Sequence, residues 1–162
     1  MEAAARYALL FIYLIGTMPP HELLDTSGML EDFFLDAALL GIATALPCYQ
    51  LCWLLNQTFD TDFEMLLELE IKGAGRTPGY FFPVYQYQLP LNGGEFLLYG
   101  IKSGKKRLLP ELKNLDNIWL MKGVTATGQL ENILSCLRRL PQITLATRLR
   151  SEQLPSLQHL LV

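Results

Sequence analysis

Apolar and polar positions alternate most regularly over Phe63–Ile71, where Phe63, Met65, Leu67, Leu69 and Ile71 are interleaved with Glu64, Leu66, Glu68 and Glu70. Successive side chains of an extended chain point to opposite sides, so this spacing predicts a strand whose acidic side faces water. Leu35–Thr44 is a short-range apolar run of strand length. Pro47 follows where the first turn of a helix begins, a position at which the missing N–H is no loss. From Pro47 to Gln57, Tyr49, Cys52, Trp53 and Leu55 recur at helical spacing with Asn56 near the end, which predicts an amphipathic helix laid on a sheet.

Gly73–Gly79 reads as a loop into an aromatic strand, Tyr80–Leu89, in which Pro83 demands an edge position or a bulge because it cannot donate to a ladder. Asn92-Gly93-Gly94 then turns the chain into Glu95–Ile101, a hairpin. After a polar loop at Lys102–Arg107 come a strand at Asp116–Lys122 around Trp119 and Met121 and a helix capped by Thr127 and reaching Arg139. Leu130, Ile133, Leu134 and Leu137 line one side of that helix, and Ile143–Arg150 closes the series as a strand. The order is β-α-β-β-β-β-α-β. Short turns between consecutive strands favour an α+β fold: a mainly antiparallel sheet of about six strands, two helices on one face and the other face partly exposed.

At 162 residues, 51% hydrophobic, the chain has material for one core, and no Pro/Ser-rich linker divides it. Residues 21–162 read as a single domain and residues 1–20 as an apolar extension. Its run Tyr7–Met18 falls short of the ~20 residues that cross a bilayer, so no membrane span is expected. Arg6 beside Glu2 makes a weak positive end, and no Ala-x-Ala-like site precedes Pro19-Pro20. These features favour a docking arm or an upstream start over a secretion signal, and a cytoplasmic protein. Cys48, Cys52 and Cys136 are an odd set in a chain that needs no staples, so no disulfides are expected. A net charge of −3 gives no general attraction to phosphate backbones or anionic membranes.

The early Leu40-Gly41-Ile42 strand, the segment Tyr49–Gln57, the aromatic central strands and the terminal helix–strand unit occur in an order that resembles the IPExxxVDY family, found mainly in Bacteroidota. The resemblance runs from Leu23 to Val162. Its namesake segment here is Leu109-Pro110-Glu111-Leu112-Lys113-Asn114-Leu115-Asp116-Asn117. Leucines replace the isoleucine and valine, and Asn117 stands where tyrosine is expected, removing a ring and a phenolic hydroxyl. The resemblance implies an intracellular single domain and brings no reaction, cofactor or substrate with it.

Several constellations bear on chemistry. Pro110 sets Glu111 at a restricted turn and Asp116 ends the same loop. Two fixed carboxylates can bind a cation or move a proton, but no histidine or nucleophile accompanies them, and pinning loop N–H groups is the simpler role. Cys48 and Cys52 share a helix face, yet nothing in the sequence brings His21, His159 or Cys136 to them, so core thiols are favoured over a metal site. Gly73-x-Gly75-x-x-x-Gly79 opens a strand rather than a helix, and Asp60-x-Asp62-x-Glu64 lacks the glycine and final carboxylate of a calcium loop. Lys102–Arg107 lacks phosphate-loop spacing. No catalytic residues, cofactor or metal are therefore assigned. The favoured reading is a non-catalytic interaction module that contacts a protein partner or a second copy through Tyr85 and Tyr87. A nucleic-acid binder using Lys105, Lys106 and Arg107 beside Tyr80, Phe81, Tyr85, Tyr87 and Tyr99 is the alternative. An enzyme centred on Glu111 and Asp116 is the second alternative.

Overall fold

A computed structural model describes residues 26–162, so the apolar extension 1–20 lies outside the described residues. The chain runs through α1 (Thr26–Phe34), β1 (Ala37–Thr44), α2 (Cys48–Phe59), β2 (Glu64–Ile71), β3 (Tyr80–Gln88) and β4 (Glu95–Gly100). It continues through β5 (Lys102–Ser103), β6 (Lys106–Arg107), β7 (Asn117–Lys122), α3 (Val124–Gly128), α4 (Leu130–Leu137) and β8 (Ile143–Leu149). Six strands form one sheet in the order β2-β3-β4-β7-β1-β8, antiparallel throughout, and β5 and β6 pair separately. This is the α+β architecture that the hydrophobic pattern implies.

β1 and β7 lie inside the sheet and are covered on both faces, which is why they read as continuous apolar runs. On one face Leu40, Ile42, Trp119 and Met121 pack with Leu51, Cys52 and Leu55 of α2 and with Leu130, Ile133, Leu134 and Leu137 of α4. The two helices share a face, as expected. The opposite face is closed rather than partly exposed. Leu108, Leu109 and Leu115 from the segment before β7, Leu154 and Leu160 from the C-terminal turns, and Phe33 and Phe34 of α1 pack on Leu39, Val84, Leu97, Tyr99 and Ile118. Tyr99 fixes this cover by donating its hydroxyl to Leu160 O at 2.7 Å. The covering leucines sit in turns and single-turn 3-10 helices, where no periodicity marks them.

Four local expectations are corrected. Helix α1, only nine residues, precedes the first predicted element. Thr127 caps nothing: it lies inside α3, whose N-cap is Gly123, and its hydroxyl donates to Val124 O at 3.1 Å. The buried side of α2 is Leu51, Cys52 and Leu55, whereas Tyr49 and Trp53 are exposed. In β2 the register shifts between Met65 and Leu67, leaving Leu66 out of the ladder. The alternation changes sides there: Met65 and Glu68 face Tyr85 and Pro83, while Leu67 and Leu69 face Val84 and Phe82. Strand β2 is consequently exposed along most of its length on both sides. Pro83 is accommodated just past Val84, the residue at which pairing of β3 with β4 ends.

Candidate functional site

The amino end of α2 opens onto the helix-bearing face of the sheet. Pro47 precedes the helix with no side-chain cap, and the Gln50 and Leu51 N–H groups both turn back to Pro47 O at 3.0 Å. The first N–H groups of any helix lack intrahelical acceptors, so those of Cys48 and Tyr49 give this end a partial positive charge. Between it and the β2 edge lies a cleft of about 530 Å³. Leu46, Tyr49, Met65, Pro83 and Tyr85 form apolar walls, Glu68 and Lys102 carry charge at its border, and Gly100, Asp116 and Asn117 line its sheet end. Gly100 preserves the close approach of helix and sheet, because a Cβ there would lie 3.0 Å from Pro83 Cγ and 3.2 Å from Cys48 Cβ.

Asp116 ties three strands together. Its N–H donates to Ile42 O at 2.9 Å, its carbonyl accepts from Ile101 N–H at 3.0 Å, and its Oδ2 accepts from Thr44 N–H at 3.1 Å. Asn117 follows it on β7 opposite Ile42 and Gly100. Its parity matches Trp119 and Met121, so its side chain projects to the α2 side of the sheet. Although only 2% exposed, Asn117 has no hydrogen-bond partner for Oδ1 among the described residues. Buried polar groups are nearly always paired, so this oxygen stands out. The other such atom is Trp119 Nε1. Its ring is packed edge-on against Phe59, Phe63 and Phe96, an arrangement that explains its burial.

The thiols near the cleft are not nucleophiles. Burial, with the adjacent Cys52, pushes the Cys48 thiol up to about 12, and burial, with Asp62, pushes Cys52 up to about 11. Both stay protonated, and Cys52 Sγ donates weakly to Phe63 O at 3.6 Å. Burial also raises the Tyr85 hydroxyl, helped by Cys48, Cys52 and Glu68, so the phenol is a neutral donor. All three cysteines are free, and among the described residues no group of His, Cys, Asp and Glu is placed to hold a metal ion.

The residues singled out from sequence separate into different regions. Tyr85 and Asp116 meet at the cleft. Tyr87 instead fills the aromatic cluster of Phe63 and Phe96. Pro110 is exposed, and Glu111 Oε1 accepts from Ser156 N–H at 2.9 Å, tying the 108–116 segment to the C-terminal turns. Burial acts to raise the Glu111 pKa, but hydrogen bonds from its own backbone and from Ser156, with His159 nearby, outweigh it and hold the carboxyl below its usual range. His159 Nδ1 lies 2.8 Å from Leu108 O in the same clasp. Arg107 donates to Leu112 O and Leu115 O at 3.2 and 2.6 Å, leaving Lys102, Lys105 and Lys106 as the exposed cations of the β5–β6 hairpin. Asn117 is a cleft residue that sequence reasoning did not select, and Lys102 entered it only as the start of the basic stretch Lys102–Arg107. The one signal for Asn117 was its replacement of an expected tyrosine. No family model matches the chain, and comparison with curated proteins and with solved structures gives no match either.

Proposed function

We propose that this protein is a non-catalytic interaction module that recruits an extended, basic segment of a partner protein along β2. The observation that carries the reading is the state of that strand: it is a sheet edge of eight residues, exposed on both sides, with Met65, Leu66 and Leu67 open to solvent. An edge strand presents unpaired N–H and C=O groups that template a further strand, and side-chain contacts then set its identity. β2 contains Glu64, Glu68 and Glu70 and no cation, which favours lysine and arginine in the incoming strand. A second copy is the poorer occupant. Antiparallel pairing of two β2 strands centred on Glu68 or Leu69 sets Glu68 against Glu68 or against Glu70, and like charges directly opposite repel.

The thiol chemistry suits a reducing compartment such as the cytoplasm. Among the described residues no helix is long and apolar enough to cross a membrane. The nucleic-acid reading draws less support, because Arg107 is engaged with carbonyls and Tyr99 is fully buried. Purification of the chain from its native cell, with nuclease treatment, is expected to retain a stoichiometric protein partner. Reversing charge with Glu64→Lys and Glu70→Lys should release it. Retention of only nuclease-sensitive material, or a partner indifferent to both substitutions, would overturn the reading.

A further inference from the structure

We infer that the cleft beside β2 is a specificity pocket for an arginine side chain of the recruited segment, an inference that rests on the strand-recruitment reading. Met65 and Glu68 belong both to β2 and to the cleft wall, so a strand laid along β2 projects alternate side chains over the cleft mouth. The walls suit the aliphatic stem of a long side chain, with Pro83, Met65 and Leu46 beside the Tyr85 and Tyr49 rings. The sheet end suits donors. Asn117 Oδ1 lacks a partner and is sealed from solvent, so it serves a bound donor once its amide turns toward the cleft, and Asp116 uses Oδ2 for Thr44 N–H. Burying an acceptor without a partner costs free energy that a bound donor recovers.

Two features choose guanidinium over ammonium. Glu68 and Asp116 offset the positive α2 amino end and Lys102, and guanidinium, more weakly hydrated than ammonium, is the easier cation to bring beside them. It also presents a planar fork of N–H donors, able to meet an amide oxygen and a carboxylate on consecutive residues at once, and it stacks on aromatic rings. The volume, about 530 Å³, is ample for one such side chain.

The test uses the full chain labelled with nitrogen-15 and titrated with N-acetyl-arginine amide, with N-acetyl-norleucine amide as control. Saturable shifts at the Cys48, Gly100 and Asn117 amides are expected with the arginine probe alone. Asn117→Leu should weaken binding about tenfold, the value of a hydrogen bond to a charged donor. Tyr85→Ser, at a half-buried wall position, provides an independent loss should Asn117→Leu perturb folding. Absence of a saturable shift, or equal affinity in both variants, would overturn the inference. The two readings fail separately. A partner released by Glu64→Lys and Glu70→Lys from a protein that ignores the probe leaves the strand reading standing and removes the arginine pocket. A probe that binds in the cleft while the charge-reversed strand keeps its partner does the opposite.

Discussion

At Asn117 a polar side chain is held where folding alone gains nothing from it. An unpaired buried acceptor costs roughly 1–3 kcal/mol, and replacement by an apolar group of similar shape removes that cost. Asn117→Leu is therefore expected to raise the urea midpoint, by the equivalent of about 1 kcal/mol, even as it empties the cleft of its acceptor. Gly94 is the opposite case. It has φ +104, and a Cβ there would overlap Lys122 O. Gly94→Ala should destabilise by about 2 kcal/mol or more through strain at the hairpin end, measured by the same titration. The thiols give a chemical readout: because burial raises both, Cys48 and Cys52 should resist iodoacetamide at pH 8 in the folded protein and react once it is unfolded. Residue-scale chemistry was only partly legible. Asp116 was selected for its carboxylate, but its tie to Thr44 joins residues 72 apart, which no local pattern reveals.

Among the elements, the strands were the most readable, since a period of two survives wherever one face is buried. Strand β2 misled because its parity is broken inside the run. Leu66 sits at a position the alternation assigns to the acidic side, and that apolar intrusion is the trace of the bulge. Helix α1 was missed because its packing residues Phe33 and Phe34 are neighbours at its end and give no helical repeat. The C-terminal turns lie beyond the last strand that the pattern marks, yet Leu160 is fully buried and receives the Tyr99 hydroxyl. Their clasp on Glu111 makes them sensitive to acid. Hydrogen bonds hold that carboxyl below its ordinary value of 4.5, so the stability it lends is present above 4.5 and lost as pH falls through the lowered folded value. Hydrogen exchange at Ser156 N–H should accelerate across that window, and Glu111→Gln should remove the pH dependence. The group is only partly buried and its partner lies in the C-terminal turns, so the effect belongs to these turns and not to global unfolding.

For the whole molecule, fold class followed from element order and short turns, whereas strand order did not, because the central pairings are distant. Leu40 pairs with Trp119 on one side and Arg148 on the other. Closure of the second sheet face was equally hidden, being made by irregular chain. Both faces being sealed has a consequence at high pH. The Cys48, Cys52 and Tyr99 acids are raised by burial, so the folded state favours their neutral forms. Stability from the thiols is complete below the ordinary value of 9.0 and declines as pH rises from there toward about 11 and 12. The melting temperature is expected to fall progressively above pH 9, and a Cys48→Ala, Cys52→Ala variant should show a shallower decline.

The same long-range pairing governs how the chain is made. Strand β1 leaves the ribosome with its neighbours β7 and β8 still untranslated, and Leu40 waits for Trp119 before it has any partner in the sheet. At about 5–20 residues per second that delay is on the order of ten seconds. Throughout it, the apolar stretch Ala37–Thr44 has no neighbouring strand to bury it. A strand buried inside the finished sheet is thus the one that its synthesis leaves longest unpaired.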